Sequence, residues 1–129
     1  MPRFAAVGFS ALALWFGAAL HAQTQFDMSR DAQRALHDVE AKLNAAVATY
    51  RMRLNSSQLA AFDESQRLWG AYRKAACEFQ ASGVAGGSAY PLVLALCLTD
   101  YANRRLAIIT ELTNCVEGDL SCPAFKRGS

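Results

Sequence analysis

Apolar positions follow two regimes along the chain. From Phe4 to Leu20 they form an apolar stretch without a charge, preceded by Met1-Pro2-Arg3 and closed by Gly17-Ala18-Ala19 and His21-Ala22. A short positive start, an apolar middle and a small-residue end make the pattern of a secretory signal peptide. Cleavage is expected after Ala22, with Ala19 as the alternative, and the apolar stretch is short for a membrane span. From Ser29 onward the spacing becomes helical. Leu36, Val39, Leu43, Ala46-Val47, Tyr50 and Leu54 recur at three and four residues, which predicts an amphipathic helix from Ser29 to about Leu54. Asp27 or Ser29 would cap its start.

Asn55-Ser56-Ser57 breaks that pattern and supplies the next cap. A second helix is expected from about Ser57 to Ala81, with Leu59, Phe62, Trp69, Tyr72, Ala76 and Phe79 inward. Gly70 inside it costs about 1 kcal/mol relative to Ala and suggests a close approach by another backbone. Ser82 to Ser88 reads as a loop. Pro91 suits the first turn of a third helix, expected to run to about Thr113 with Leu94, Cys97, Tyr101, Ile108 and Leu112 inward. The tail from Asn114 contains Gly118 and Pro123 and reads as a bridged turn. There is no internal repeat, heptad array or low-complexity run. The pattern predicts an all-α fold, a small bundle of about three helices spanning residues 23–129 after a leader at 1–22.

Composition sharpens this division. Hydrophobic residues are 53% of the 129-residue chain, and 16 of them fall in residues 1–22. Without the leader the fraction drops to about 49%, an ordinary globular value. The formal charge of +2 for the whole chain gives no reason to expect a nucleic-acid partner. All four cysteines, Cys77, Cys97, Cys115 and Cys122, follow the leader, and an even count in a small exported chain reads as a disulfide framework. Three connectivities are open. Cys77–Cys97 and Cys115–Cys122 are favoured because each pair flanks a turn-rich segment, and these bridges would contribute about 3.3 and 2.5 kcal/mol by loop entropy. The localisation expected is periplasmic or secreted, with no membrane span in the mature form, and the mature protein is expected to be a monomer.

Candidate chemistry is sparse. Trp69, Arg73 and Cys77 are spaced by four and share one helix face, and Cys97 and Arg105 share a face of the third helix. A Cys77–Cys97 bridge would gather Trp69, Tyr72, Arg73, Tyr101 and Arg105 near one end of the bundle. Aromatic and guanidinium groups together are the composition of a binding hot spot. They are equally the composition of a clamp, with an arginine stacked on a tryptophan and paired with a carboxylate such as Asp100. The clamp is the favoured reading. His37 reads as a surface residue, and Asp63-Glu64 point apart as chain neighbours, a poor catalytic pair. Gly86-Gly87-Ser88 lacks the preceding strand and lysine of a phosphate cradle and reads as a tight turn. No Cys-x-x-Cys pair supports zinc. No catalytic residue, metal site or cofactor is expected, so the chain does not read as an enzyme.

Ser65-Gln66-Arg67-Leu68-Trp69, Tyr72-Arg73, Cys77, Gly86-Gly87-Ser88, Cys97-Leu98 and Arg105 together resemble the LprI-like family, named after a lipoprotein that inhibits lysozyme. The resemblance is tight over residues 65–105 and extends weakly to Leu43-Asn44. It implies an exported helical domain with a Cys77–Cys97 bridge and a non-enzymatic binding function, with lysozyme or another extracytoplasmic protein as partner. An envelope or surface interaction protein without lysozyme activity is the alternative. The chain departs from the family at Val47, where a tyrosine is frequent, and at Ala102, where a threonine commonly stands. The pair Cys115 and Cys122 is particular to this chain, and no lipidation cysteine is present. Inhibition by cleft occlusion would place the Gly-Gly-Ser end of the bundle in the cleft. The loop Ser82–Tyr90 has no basic residue, so Arg73, Lys74, Arg104, Arg105 or the Ser88 hydroxyl would have to meet the two catalytic carboxylates. Near-neutral charge supplies little steering toward a basic lysozyme.

Overall fold

The computed structural model describes residues 11–124, with side chains described from Thr24 onward. The first ten residues of the expected leader, and residues 125–129 of the tail, lie outside the described residues. The rest forms three long helices, α1 (Ala11–Arg51), α2 (Ser56–Ala81) and α3 (Tyr90–Thr113). No strand occurs among the described residues. The fold is an all-α three-helix bundle.

The start of α1 differs from expectation. The helix passes through Asp27 and Ser29, so neither caps it, and Asp27 instead pairs with Arg30 at 3.1 Å. An N-cap needs a non-helical residue before it, and the alanine- and leucine-rich segment upstream has high helix propensity.

The break between α1 and α2 follows from local chemistry. Asn55 Oδ1 accepts from the backbone N–H of Gln58 at 3.0 Å, and Gln58 Oε1 accepts from the backbone N–H of Asn55 at 3.0 Å. This capping box satisfies two amide donors that the first turn leaves open. Between α2 and α3 the chain makes a 3-10 turn, Ser82–Val84, followed by a tight turn. Ala85 at φ −57°, ψ 134° and Gly86 at φ 76°, closed by Gly87 N–H to Val84 C=O at 3.0 Å, form a type II turn. That geometry requires a positive φ at its third residue, which is why a glycine stands there. Pro91 occupies the first turn of α3 as expected.

Contacts between α1 and α3 keep a nearly constant separation in sequence. Gln25 meets Ser88, Gln33 Nε2 donates to the Pro91 carbonyl, and the Arg53 guanidinium donates to the Thr113 carbonyl. The two helices therefore run parallel. Along α2 and α3 the separation shrinks toward the loop, from Gln66–Arg105 to Arg73–Leu98 to Cys77–Cys97, so α2 is antiparallel to both.

The core lies chiefly between α1 and α3. Ala32, Leu36, Val39, Leu43, Ala46 and Tyr50 of α1 face Ala95, Ala102 and Ile109 of α3, with Phe62 of α2 edge-on to Tyr50 at 5.2 Å. The α1 positions step by four and three, and the α3 positions by seven. This is the heptad spacing of a parallel helix pair, which the sequence reading missed because two of the three α3 positions are alanine.

The expected inward faces of α2 and α3 hold in part: Phe62 is buried and Trp69 and Leu112 pack against the core, but other expected positions face water. In α3, Ala95, Ala102 and Ile109 are fully buried, whereas Ile108 is exposed. In α2, Phe62, Cys77 and Ala81 are buried, whereas Tyr72 is 63% exposed and Phe79 80% exposed. Counting bulky residues added part of a second, exposed apolar stripe on each helix. The small residues mark the true contact, because only they let the backbones close. The approach expected at Gly70 is absent: a Cβ there would meet nothing within 4 Å.

Candidate functional site

Both disulfides join the favoured partners, Cys77 with Cys97 and Cys115 with Cys122, each with Cα atoms 5.6 Å apart. The first ties the last turns of α2 to the start of α3. The second closes the turn after α3, where Gln58 Nε2 donates to the Pro123 carbonyl at 2.5 Å and docks the tail on α2.

Trp69, Arg73 and Arg105 come together, as their spacing suggested. The Arg73 guanidinium carbon lies 5.4 Å from the Trp69 ring centroid and that of Arg105 lies 5.7 Å from it. Contacts of this kind contribute about 0.5–2 kcal/mol, more as water is excluded. Arg73 has a side chain only 12% exposed. Its Nη2 donates to Glu40 Oε1 at 2.8 Å and to the Leu98 carbonyl at 2.8 Å, and its Nε donates to that carbonyl at 3.2 Å. One side chain thus links all three helices.

A carboxylate was expected in this role, with Asp100 as one example. Asp100 pairs instead with Arg104 on its own helix at 2.8 Å, and the partner of Arg73 comes from α1. Glu40 carried one usable signal in the sequence, its place beside Val39 at the margin of the apolar stripe, where flanking charges meet a neighbouring helix.

Arg105 is held differently. It donates to Gln66 Oε1 from Nε at 2.7 Å and to Ser65 Oγ from Nη2 at 2.9 Å. Among the described residues no carboxylate forms an ion pair with it, and burial pushes its guanidinium below the usual range. Ser65 and Gln66 belong to the quoted motif but had no role assigned from sequence. Their role is to hold Arg105 over Trp69.

This cluster sits at the middle of the bundle, which corrects the expected position near its end. Trp69 lies twelve residues before the end of α2, about 18 Å along the axis at 1.5 Å per residue. Tyr72 and Tyr101 lie outside it, edge-to-face with ring centroids 5.9 Å apart. The interaction with Tyr72, followed by partial desolvation, raises the Tyr101 phenol above its ordinary pKa.

The Gly86-Gly87-Ser88 loop is a separate place. Gly86 holds the turn, a Cβ on Gly87 would come within 3.2 Å of the Val84 carbonyl, and Ser88 Oγ donates to Gln25 Oε1 at 2.9 Å. Ser82 Oγ donates to the Phe79 carbonyl at 2.7 Å. Both loop hydroxyls therefore serve their own chain. A groove of about 590 Å³ lies beside the loop, between Gln25, Phe26, Ser29, Gln33, Ser88 and Pro91. His37 is exposed on α1. Asp63 pairs with Arg51 and Glu64 with Arg67, so the two adjacent acids point to different neighbours. Among the described residues, no group of three His, Cys, Asp or Glu side chains is placed to hold a metal.

Compared with curated proteins and with solved structures, the chain has no match. The family model described as Lysozyme inhibitor LprI matches residues 17–108. That span contains the α2–α3 loop, the Cys77–Cys97 bridge and the arginines around Trp69, and it leaves out Cys115 and Cys122. Covering well over half of the chain, the match shows that this protein belongs to the lysozyme inhibitor LprI family.

Proposed function

We propose that the protein is exported after loss of residues 1–22 and acts as a monomeric, non-enzymatic inhibitor that occludes the cleft of lysozyme. The observation that carries this reading is the family match over residues 17–108, because it takes in all of α2 and most of α1 and α3. Two disulfides suit an oxidising, extracytoplasmic compartment. Among the described residues no helix is long and apolar enough to cross a membrane.

A rigid body also suits an inhibitor, since a surface that is already ordered loses little entropy on binding. The Arg73 links and the Cys77–Cys97 bridge provide that rigidity between the helices. The reading is tested by cell-wall hydrolysis with animal and bacterial lysozymes, with and without purified mature protein. Hydrolysis should fall in a saturable, dose-dependent way. Unchanged rates at large molar excess for every lysozyme would overturn the proposal.

A further inference from the structure

Two apolar stripes that the bundle does not use run side by side along its outer seam. On α2 the stripe is Leu68, Tyr72 and Phe79, all exposed. On α3 it is Tyr101 and Ile108, the latter exposed, with Arg104 between them in the helical repeat. The helices are antiparallel, and the Tyr72–Tyr101 contact at 5.9 Å joins the stripes at their centre. Scattered single apolar residues on a surface need no explanation, but a joined row of them does.

Resting on the proposed inhibitor function, we infer that this α2–α3 seam, with Tyr72 and Tyr101 at its centre and Arg104 beside them, is the face that enters the lysozyme cleft. A lysozyme cleft presents two carboxylates and a surface shaped for sugar rings. Its complement is a flat aromatic group next to a cation that can reach a carboxylate with two donors. The seam offers both. The Arg104 side chain is 74% exposed and, among the described residues, is held by Asp100 one turn away on the same helix, a solvent-exposed pair of small net energy. Arg104 can therefore exchange that carboxylate for one in the cleft.

The other cations named from sequence do not meet these conditions together. Arg73 and Arg105 are committed to Glu40, Leu98, Gln66 and Ser65. Lys74 is exposed and paired with Glu78, but it stands two residues from Tyr72, on another face of α2. The Gly-Gly-Ser loop has no basic residue, and both of its hydroxyls are already donating. The seam thus replaces the loop end as the docking face.

The test compares the mature protein with three variants in the lysozyme assay: Tyr72→Ala/Tyr101→Ala, Arg104→Gln and, at the loop, Val84→Asp. Circular dichroism and non-reducing mass spectrometry establish that each keeps its helices and bridges. The aromatic double variant and Arg104→Gln should each raise the half-inhibitory concentration roughly tenfold or more, as hot-spot truncations do. The Arg104→Gln deficit should shrink with added salt as the charge contact is screened in the parent. Val84→Asp should change inhibition less than about threefold, since rim positions contribute little. Full inhibition by folded seam variants, or loss confined to Val84→Asp, would overturn the seam while leaving the inhibitor function standing. Failure of the parent protein itself would overturn both. A concentration-dependent dimer in sedimentation, abolished by Tyr72→Ala/Tyr101→Ala, would assign the seam to a second copy of the chain and equally overturn the inference.

Discussion

The two interfaces of α3 are built on different physics. Toward α1, α3 presents Ala95, Ala102 and Ile109, and the contact is apolar, parallel and without a covalent link. Toward α2 it presents Cys97, the Leu98 carbonyl, Tyr101 and Arg105, and the contact is a disulfide, a cation over a ring and several charged hydrogen bonds. Small residues on the first side let the backbones approach, and burial of Leu36, Val39, Leu43 and Tyr50 stabilises it. On the second side Tyr72, Phe79 and Ile108 are exposed, and directional links join the helices beside them. An interface of the second kind leaves an aromatic strip facing solvent. The α1–α3 contact holds the fold, and the α2–α3 contact holds a surface.

This contrast can be broken most forcefully at Ile109, which is fully buried between the helices. Ile109→Ala should cost about 3–4 kcal/mol, the usual range for emptying a packed core site, measured by urea denaturation of the mature protein. A loss below about 1 kcal/mol would mean that α1 and α3 are not the main load of the core. Next in size is the covalent link. Cys77→Ser/Cys97→Ser removes a bridge between residues 20 apart in sequence and should cost about 3 kcal/mol. The helical content should stay near that of the parent in circular dichroism, because the α1–α3 contact is untouched. A fully unfolded variant would show that α2 depends on its bridge more than the contrast allows.

The smallest effect is expected at Tyr50, where the two interfaces meet against Phe62. Its ring is buried, but its hydroxyl has no hydrogen-bond partner among the described residues. Tyr50→Phe removes that unpaired group and should be neutral or stabilising by up to about 1 kcal/mol. Burial raises the Tyr50 phenol above its ordinary value, partly offset by Arg53. Raised in the folded state, the group contributes fully below the unfolded pKa of about 10, and its contribution is lost as pH rises from there through the folded value. The parent should therefore lose stability between about pH 10 and the folded pKa more steeply than Tyr50→Phe. Parallel curves for the two proteins would show that the hydroxyl is solvated.

Much of the molecule was legible in the chain alone, for short-range reasons. Asn55 with Gln58, Gly86 and Pro91 each impose a local geometry whatever surrounds them, so the breaks between helices fell where expected. The cysteine pairing was legible through the turn-rich segments between the partners. The Trp69, Arg73 and Arg105 meeting was legible through helical spacing once that bridge was assumed. The start of α1 was less so, because a cap is recognised only where the helix does stop, and this one continues through Asp27 and Ser29.

What only the tertiary structure decided was the rotation of α2 and α3 about their own axes. A helix with apolar residues on more than half its circumference has several faces that periodicity alone ranks equally. The choice falls to close packing, which favours Ala95 and Ala102 over Leu94 and Tyr101 for the contact with α1. That rotation put Tyr72, Phe79 and Ile108 in water. It also carried Arg73 to Glu40, 33 residues away, and left Asp100 to Arg104. The sequence by itself determined that three helices would form, because that is a local preference, and it favoured one of three cysteine pairings that the folded bundle then decided. Which side of each helix became core and which became surface depended on how closely the backbones can approach, and that is a property of the assembled bundle.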